Sequence, residues 1–253
     1  MSDAHQGYSE KFREAIAASE YERFYTPGTA DHAIWTHERK ILTDLLARHQ
    51  KHWPTCNYLD FACGTGRVIE FMESRVTTSR GIDISSEMLR LAAPKLQRSE
   101  LICTDITKSD VPEAKYDLIT AFRFFLNAEP SLRLAVMRAL ALRLKNAESV
   151  LVFTNHGNPL SYKAVMWPVH RTRQLLFGRR PVGNYLTHKQ IKQLLEQLGL
   201  HIVERFGCGI ISPRFFKIAP SMADSIESRF GGGDKVARAI GVNQVYVVSK
   251  TSS

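Results

Sequence analysis

Apolar and polar residues alternate with two different periods along this chain. Short apolar runs at 57–61, 79–83, 100–103, 116–122 and 149–155 read as buried strands. Helical patterns lie between or after them, over about 66–75, 86–97 and 130–145. Such alternation predicts a parallel sheet with helices on both faces. Two further helices are predicted ahead of it, 8–24 and 31–50, separated by Pro27-Gly28. In the second of these, Ala33, Ile34, Ile41, Leu42, Leu45 and Leu46 share one face. The strand at 149–155 is followed by about 30 residues before a helix at 187–198, which Thr187 would cap. Strands at 201–206 and 244–250 would complete the sheet. Residues 207–243 between them are rich in Phe, Arg and Gly, with Gly231-Gly232-Gly233 as a flexible break. No repeat, low-complexity tract or second-domain boundary is visible.

The polar residues collect where strands end. Asp60, Asp83, Asp105, Arg123 and His156 all fall at or just after a predicted strand terminus. In an open α/β sheet, ligands bind beyond the carboxyl ends of the strands, where the winding reverses. The run Asn57-Tyr-Leu-Asp-Phe-Ala-Cys-Gly-Thr-Gly66 takes a strand into a glycine turn, and a second strand ends on Asp83. Glycine tolerates positive φ and lets a ligand approach the backbone closely. An acid roughly 20 residues beyond the turn suits a ribose diol. A nucleoside-containing cofactor is therefore expected. A dinucleotide fits less well, because Ile69 stands where its third glycine belongs and Asp60 would repel a pyrophosphate.

These residues resemble the class I S-adenosylmethionine (SAM)-dependent methyltransferases of the small-molecule type. The family's first motif, Asp-x-Gly-x-Gly-x-Gly, matches Asp60, Ala62, Gly64 and Gly66, with Ala in place of the first Gly. Its second, Gly-(apolar)-Asp-(apolar)-Ser-x-x-Met-Leu, matches residues 81–89. The resemblance covers about 55–155 well and the remainder loosely. It implies a Rossmann-like, doubly wound, seven-stranded and mostly parallel α/β sheet with an antiparallel C-terminal hairpin. Residues 1–253 would form one domain, with a helical lid over 1–50, a SAM-binding core over 55–155 and substrate-side loops and strands over 156–253.

By the same resemblance, SAM would contact Asp60, Ala62, Cys63, Gly64, Thr65 and Gly66 around the turn. Asp83 would take the ribose hydroxyls, Ile84 and Met88 the adenine face, and Thr104, Asp105 and Ile106 the adenine edge. Phe122 and Arg123 would border the methionine part. The acceptor would meet Tyr25, Arg123, Phe124, Asn127 and His156, with His156 as candidate general base because imidazole titrates near neutral pH. Residues 120–127 lack the Asn/Asp-Pro-Pro-Tyr/Phe of amino-directed nucleic-acid methyltransferases.

Composition narrows the acceptor. The chain has 253 residues, 44% apolar and 23% charged, which is ordinary for a globular protein. No apolar run is long enough to span a bilayer and no secretory leader is evident, so a cytoplasmic location is expected. Cys56, Cys63, Cys103 and Cys208 form no Cys-x-x-Cys pair. After Arg123 the next acids are Glu129 and Glu148, so no metal site is expected there. The net charge is +9, and Ser149–Leu195 holds seven Lys and Arg but no Asp or Glu. That stretch favours an anionic small or medium acceptor methylated on oxygen or nitrogen. An RNA methyltransferase and a non-catalytic SAM-fold scaffold are the alternatives; the oligomeric state is not encoded in any motif.

Overall fold

The computed structural model describes residues 25–108, 114–125, 128–158, 160–163, 186–231 and 235–251. The predicted helix at 8–24 and most of the basic run lie outside them. Seven strands form one sheet: β1 (Asn57–Phe61), β2 (Thr78–Asp83), β3 (Glu100–Cys103), β4 (Leu118–Ala121), β5 (Val150–His156), β6 (Leu200–Cys208) and β7 (Asn243–Lys250). Their order is β3-β2-β1-β4-β5-β7-β6. The first five pair in parallel, and β7 runs antiparallel between β5 and β6. The winding reverses between β1 and β4, so the crevice for a ligand opens there.

The strands bury both faces by strict alternation. Tyr58, Leu118, Val150, Val152, Val245 and Val247 face one core; Leu59, Ile119, Leu151, Phe153, Tyr246 and Val248 face the other. Helix α1 (Ala30–His49) and α2 (Arg67–Glu73) cover the first face through Ile34, Leu42, Leu45, Ile69 and Met72. Helix α3 (Ser86–Ala92) adds Leu89 to that side. Helices α4 (Pro130–Arg143) and α5 (His188–Glu196) cover the second through Val136, Met137, Leu140, Ile191 and Leu195. Thr29 caps α1 by accepting from His32 N–H, and Thr187 and Gln190 form a capping box on α5. Helix α1 is thus a core layer along most of its length.

Residues 207–243 differ from expectation. They form three short helices after β6: α6 (Pro213–Ile218), α7 (Pro220–Phe230) and α8 (Lys235–Ile240). Proline opens α6 and α7, and Ser212 caps α6. Glu227 of α7 is buried and clasps the approach to α6, its carboxylate accepting from the N–H groups of Gly209, Ile210 and Ile211 at 2.6, 2.9 and 3.2 Å.

Candidate functional site

The turn after β1 is held from inside. Ala62, Gly64 and Gly66 adopt positive φ of 55°, 55° and 87°. A Cβ on Gly66 would meet Ala92 Cβ of α3 at 2.9 Å, which explains the glycine there. A Cβ on Gly64 would meet nothing within 4 Å, so this face of the turn is open to a ligand. The N–H of Cys63 donates to Ile82 O (3.2 Å), that of Gly64 to Asp83 Oδ2 (2.8 Å) and that of Gly66 to Cys63 O (3.0 Å). The buried Thr65 accepts at its carbonyl from Lys95 Nζ at 3.0 Å. Expected ligand contacts from Cys63, Gly64 and Gly66 therefore do not come from their N–H groups. A turn whose donors point inward is no anion nest, and a pyrophosphate would find little to bind.

Two carboxylates flank this turn. Asp83 ends β2 and is 9% exposed; Oδ1 accepts from Ser85 N–H (2.9 Å) and Oδ2 from Gly64 N–H (2.8 Å). Each oxygen retains a further lone pair for an outside donor. Burial raises its pKa above the usual carboxylate range, against the pull of those two N–H groups. Asp60 sits at the winding reversal, paired in register with Thr120 of β4. Its Oδ1 accepts from Thr120 Oγ1 at 2.6 Å, and Thr120 in turn is 2.6 Å from the Tyr58 hydroxyl. Its Oδ2 is buried with no hydrogen-bond partner among the described residues. Burial pushes its pKa up to about 7, with Thr120, the Arg67 charge and the nearby Ile69 N–H holding it down. A buried carboxylate oxygen left unpaired calls for a cationic partner.

The remaining predicted cofactor residues divide. Thr104 is tied to the end of β2 by its N–H to Asp83 O at 3.0 Å. Asp105 forms the turn itself, accepting at Oδ1 from Thr107 N–H (3.0 Å) and hydroxyl (2.7 Å). Ile84 is half-buried and Met88 buried at the start of α3. Ile106 is 2% exposed inside the α4-side core, where it supports the loop. Phe122 and Cys63 are buried in the α1-side core. Phe124 is 1% exposed and packs edge-on against Phe61 at 5.1 Å. Asn127 lies outside the described residues.

Arg123, just after β4, anchors a polar chain across the other side of the crevice. Its backbone has φ 62°, and its N–H donates to Thr154 Oγ1 at 2.8 Å. The guanidinium pairs with Asp31 Oδ1 at 2.9 Å and lies 3.2 Å from the His156 ring nitrogens. Asn243 Nδ2 donates to Glu38 Oε1 at 2.8 Å, which turns the Asn243 oxygen toward His156 Nδ1 at 2.9 Å. His156 therefore carries its proton on Nδ1, and the Arg123 guanidinium nitrogen, 3.2 Å from both ring nitrogens, lies over the ring. Burial, Arg123 and Lys163 depress the His156 pKa well below the ordinary imidazole value, so it is neutral at pH 7. The neighbouring guanidinium charge and burial make this imidazole a weaker base than a free one.

Glu38 is the hub that sequence reasoning missed. It is fully buried on α1 and also accepts from Arg67 at 3.3 Å. Arg67 is stacked against Tyr25 and Trp35, 4.2 Å from each ring centroid. The signal was present: Glu38 falls on the same helical stripe as Ile34, Ile41, Leu42 and Leu45, where a carboxylate needs a buried partner.

Residues 59–147 match the family model of a methyltransferase domain. No curated protein matches the chain significantly. Among solved structures, magnesium protoporphyrin IX methyltransferase of Synechocystis with bound S-adenosylhomocysteine (SAH) is 15% identical. That match covers 96% of this chain and 100% of that one, with a TM-score of 0.64. The N-methyltransferase NodS of Bradyrhizobium japonicum, in complex with SAH, is 15% identical over 98% and 100%, with a TM-score of 0.60. The [4+2]-cyclase SpnF is 17% identical over 84% and 81%, with a TM-score of 0.54. At such identities the likeness is one of fold, and the cyclase shows that this fold carries more than one chemistry. Residues 59–147 thus match the methyltransferase-domain model, within a chain that has the fold of these solved methyltransferases.

Proposed function

We propose that the chain is a SAM-dependent methyltransferase acting on oxygen or nitrogen of a small or medium acceptor that carries negative charge. The observation that carries this reading is the buried, unpartnered Oδ2 of Asp60 beside a turn whose donors point inward. That pairing repels an anion and suits an ammonium group. SAM brings one, and its sulfonium supplies an electrophilic methyl.

In this reading Asp60 receives the ammonium and Asp83 takes the ribose diol with its remaining lone pairs. The open face of Gly64 admits the ligand. Ile84 and Met88 give the adenine an apolar wall, and Asp105 receives its amino group. Arg123 holds the acceptor's anionic group, exchanging Asp31 for it, while His156 keeps the guanidinium aligned. In-line methyl transfer needs alignment and exclusion of water above all, and such positioning supplies several kcal/mol, about 7–11 in well-oriented systems.

Calorimetric titration with SAM, SAH and NAD tests the reading, followed by a screen of anionic acceptors with labelled SAM. Micromolar binding of the first two, none of NAD, and label transfer are expected. NAD binding alone, or no binding of any of the three, would overturn it.

A further inference from the structure

The β6–β7 connection stands on the same edge of the sheet as the candidate site. His156 at the end of β5 pairs with Asn243 at the start of β7, and Cys208 at the end of β6 pairs with Asn243 from the other side. The chain between Cys208 and Asn243, which holds α6, α7 and α8, therefore leaves the sheet at the strand ends that carry Asp60, Asp83 and Arg123.

These helices have an unusual outer surface. Five of the eight large apolar side chains exposed among the described residues belong to them: Ile218 (81% exposed), Met222 (53%), Val236 (50%), Phe230 (41%) and Ile240 (39%). Their inner sides are already used. Phe216 and Ala223 pack on Ala33 of α1, Ala237 is buried, and Glu227 clasps the backbone before α6. On α7, Met222, Ile226 and Phe230 recur at helical spacing beside the buried Ala223–Glu227 stripe, whereas Ser221, Asp224, Ser225 and Ser228 occupy the opposite flank.

Charge runs with the apolar groups. Arg214, Lys217, Arg229, Lys235 and Arg238 are exposed on α6–α8, against Asp224 as the one exposed acid among the described residues there. Arg229 lies over the ring of Phe230, 5.8 Å from its centroid. Exposed apolar side chains interleaved with Arg and Lys on short helices match the chemistry of a bilayer interface, where apolar groups enter the acyl boundary and cations meet anionic headgroups. Long basic side chains lie over apolar surface while keeping their charge in the headgroup layer. No helix among the described residues is long and apolar enough to cross a membrane, so the contact is peripheral.

We propose that α6–α8 dock this chain onto an anionic lipid bilayer, with the site edge of the sheet turned toward the surface. An acceptor held at that surface would then enter without leaving it; this last clause rests on the methyltransferase reading, whereas the docking does not.

Vesicle co-sedimentation of the full chain tests the docking. Vesicles of phosphatidylcholine with about one third phosphatidylglycerol are compared with pure phosphatidylcholine at about 0.1 M salt, where surface charge is felt across roughly 10 Å. Binding is expected to be about ten-fold or more stronger to the anionic vesicles. The double variant Arg214→Glu/Lys217→Glu and, separately, Ile218→Ser/Met222→Ser should each lose about ten-fold or more. All four positions are exposed, so melting temperature and SAM affinity should hold, which separates loss of docking from misfolding or from failure of the cofactor reading. Absence of binding to either vesicle overturns the proposal. So does undiminished binding of the serine variant with displacement by RNA, which would mark a polyanion surface. Vesicle-independent dimerisation that the serine variant abolishes, seen by light scattering, would assign the face to a second copy instead.

Discussion

On the β1–β2 side of the crevice the Asp83 carboxylate finds partners close by in sequence, and only Asp60 reaches further, to Thr120. Gly64 N–H reaches Asp83 across 19 residues, and Ser85 N–H reaches it across 2. On the β4–β5 side the partners are remote. Arg123 reaches Asp31 across 92 residues, His156 reaches Asn243 across 87, and Asn243 reaches Glu38 across 205. The first side is a local device: once two neighbouring strands pair, it is in place. The second exists only when the first helix, the central strands and the last strand are assembled. Damage to the two sides should therefore be read on different instruments, ligand affinity for the first and global stability for the second.

The largest effect is expected at the remote hub. Glu38→Ala removes the buried carboxylate that accepts from Arg67 and the Asn243 amide and should lower unfolding free energy by about 3–5 kcal/mol in denaturant titration. Glu38→Gln should lose less, because it keeps an acceptor and the volume. A loss below about 1 kcal/mol for the alanine variant would show that the remote side is not held by its network. On the local side, Asp83→Ala should weaken SAM by about 1.5–3 kcal/mol in calorimetry, the scale of hydrogen bonds to a charged group. Unchanged affinity would remove the ribose assignment. A smaller and graded effect should come from pH. With the Asp60 pKa at about 7, the acid must give up its proton to pair with an ammonium. SAM affinity should then fall below pH 7, approaching about ten-fold per pH unit. Asp60→Asn should flatten that profile. A wild-type profile already flat between pH 5 and 7 would place the ammonium elsewhere.

The same contrast decides what the amino-acid sequence disclosed. Each strand of the sheet lies within a few residues of its expected span, because period-two alternation and buried apolar runs are properties of consecutive residues. Asp60 and Asp83 were recognisable because their meaning lies in spacing along the chain. The partners of Asn243 and Asp31 were not, and for Glu38 only its burial on the apolar stripe of α1 was legible, since nothing nearby in the chain specifies what a polar residue will meet after folding. His156 was noticed for its place after β5, but its neighbours Arg123 and Asn243, 33 and 87 residues away, were not legible from that place. The helices α6–α8 were missed for another reason. Pro213, Pro220 and Gly231 cut the segment into pieces of six to eleven residues, two of them too short for helical periodicity to be read, and held by caps and by the Glu227 clasp more than by propensity.

Ala62 bears on how departures from a motif should be judged. It stands where the family motif has glycine, on backbone with φ 55°, a conformation that costs a residue with a Cβ about 1–2 kcal/mol. Its methyl packs against the α4-side core, which returns something under about 0.8 kcal/mol. A glycine would also lose more freedom on folding, by about 0.5–1 kcal/mol. The two residues are therefore close to equal in free energy at this position, so a missing glycine in the motif does not by itself mark a damaged turn, and Ala62→Gly should leave stability nearly unchanged.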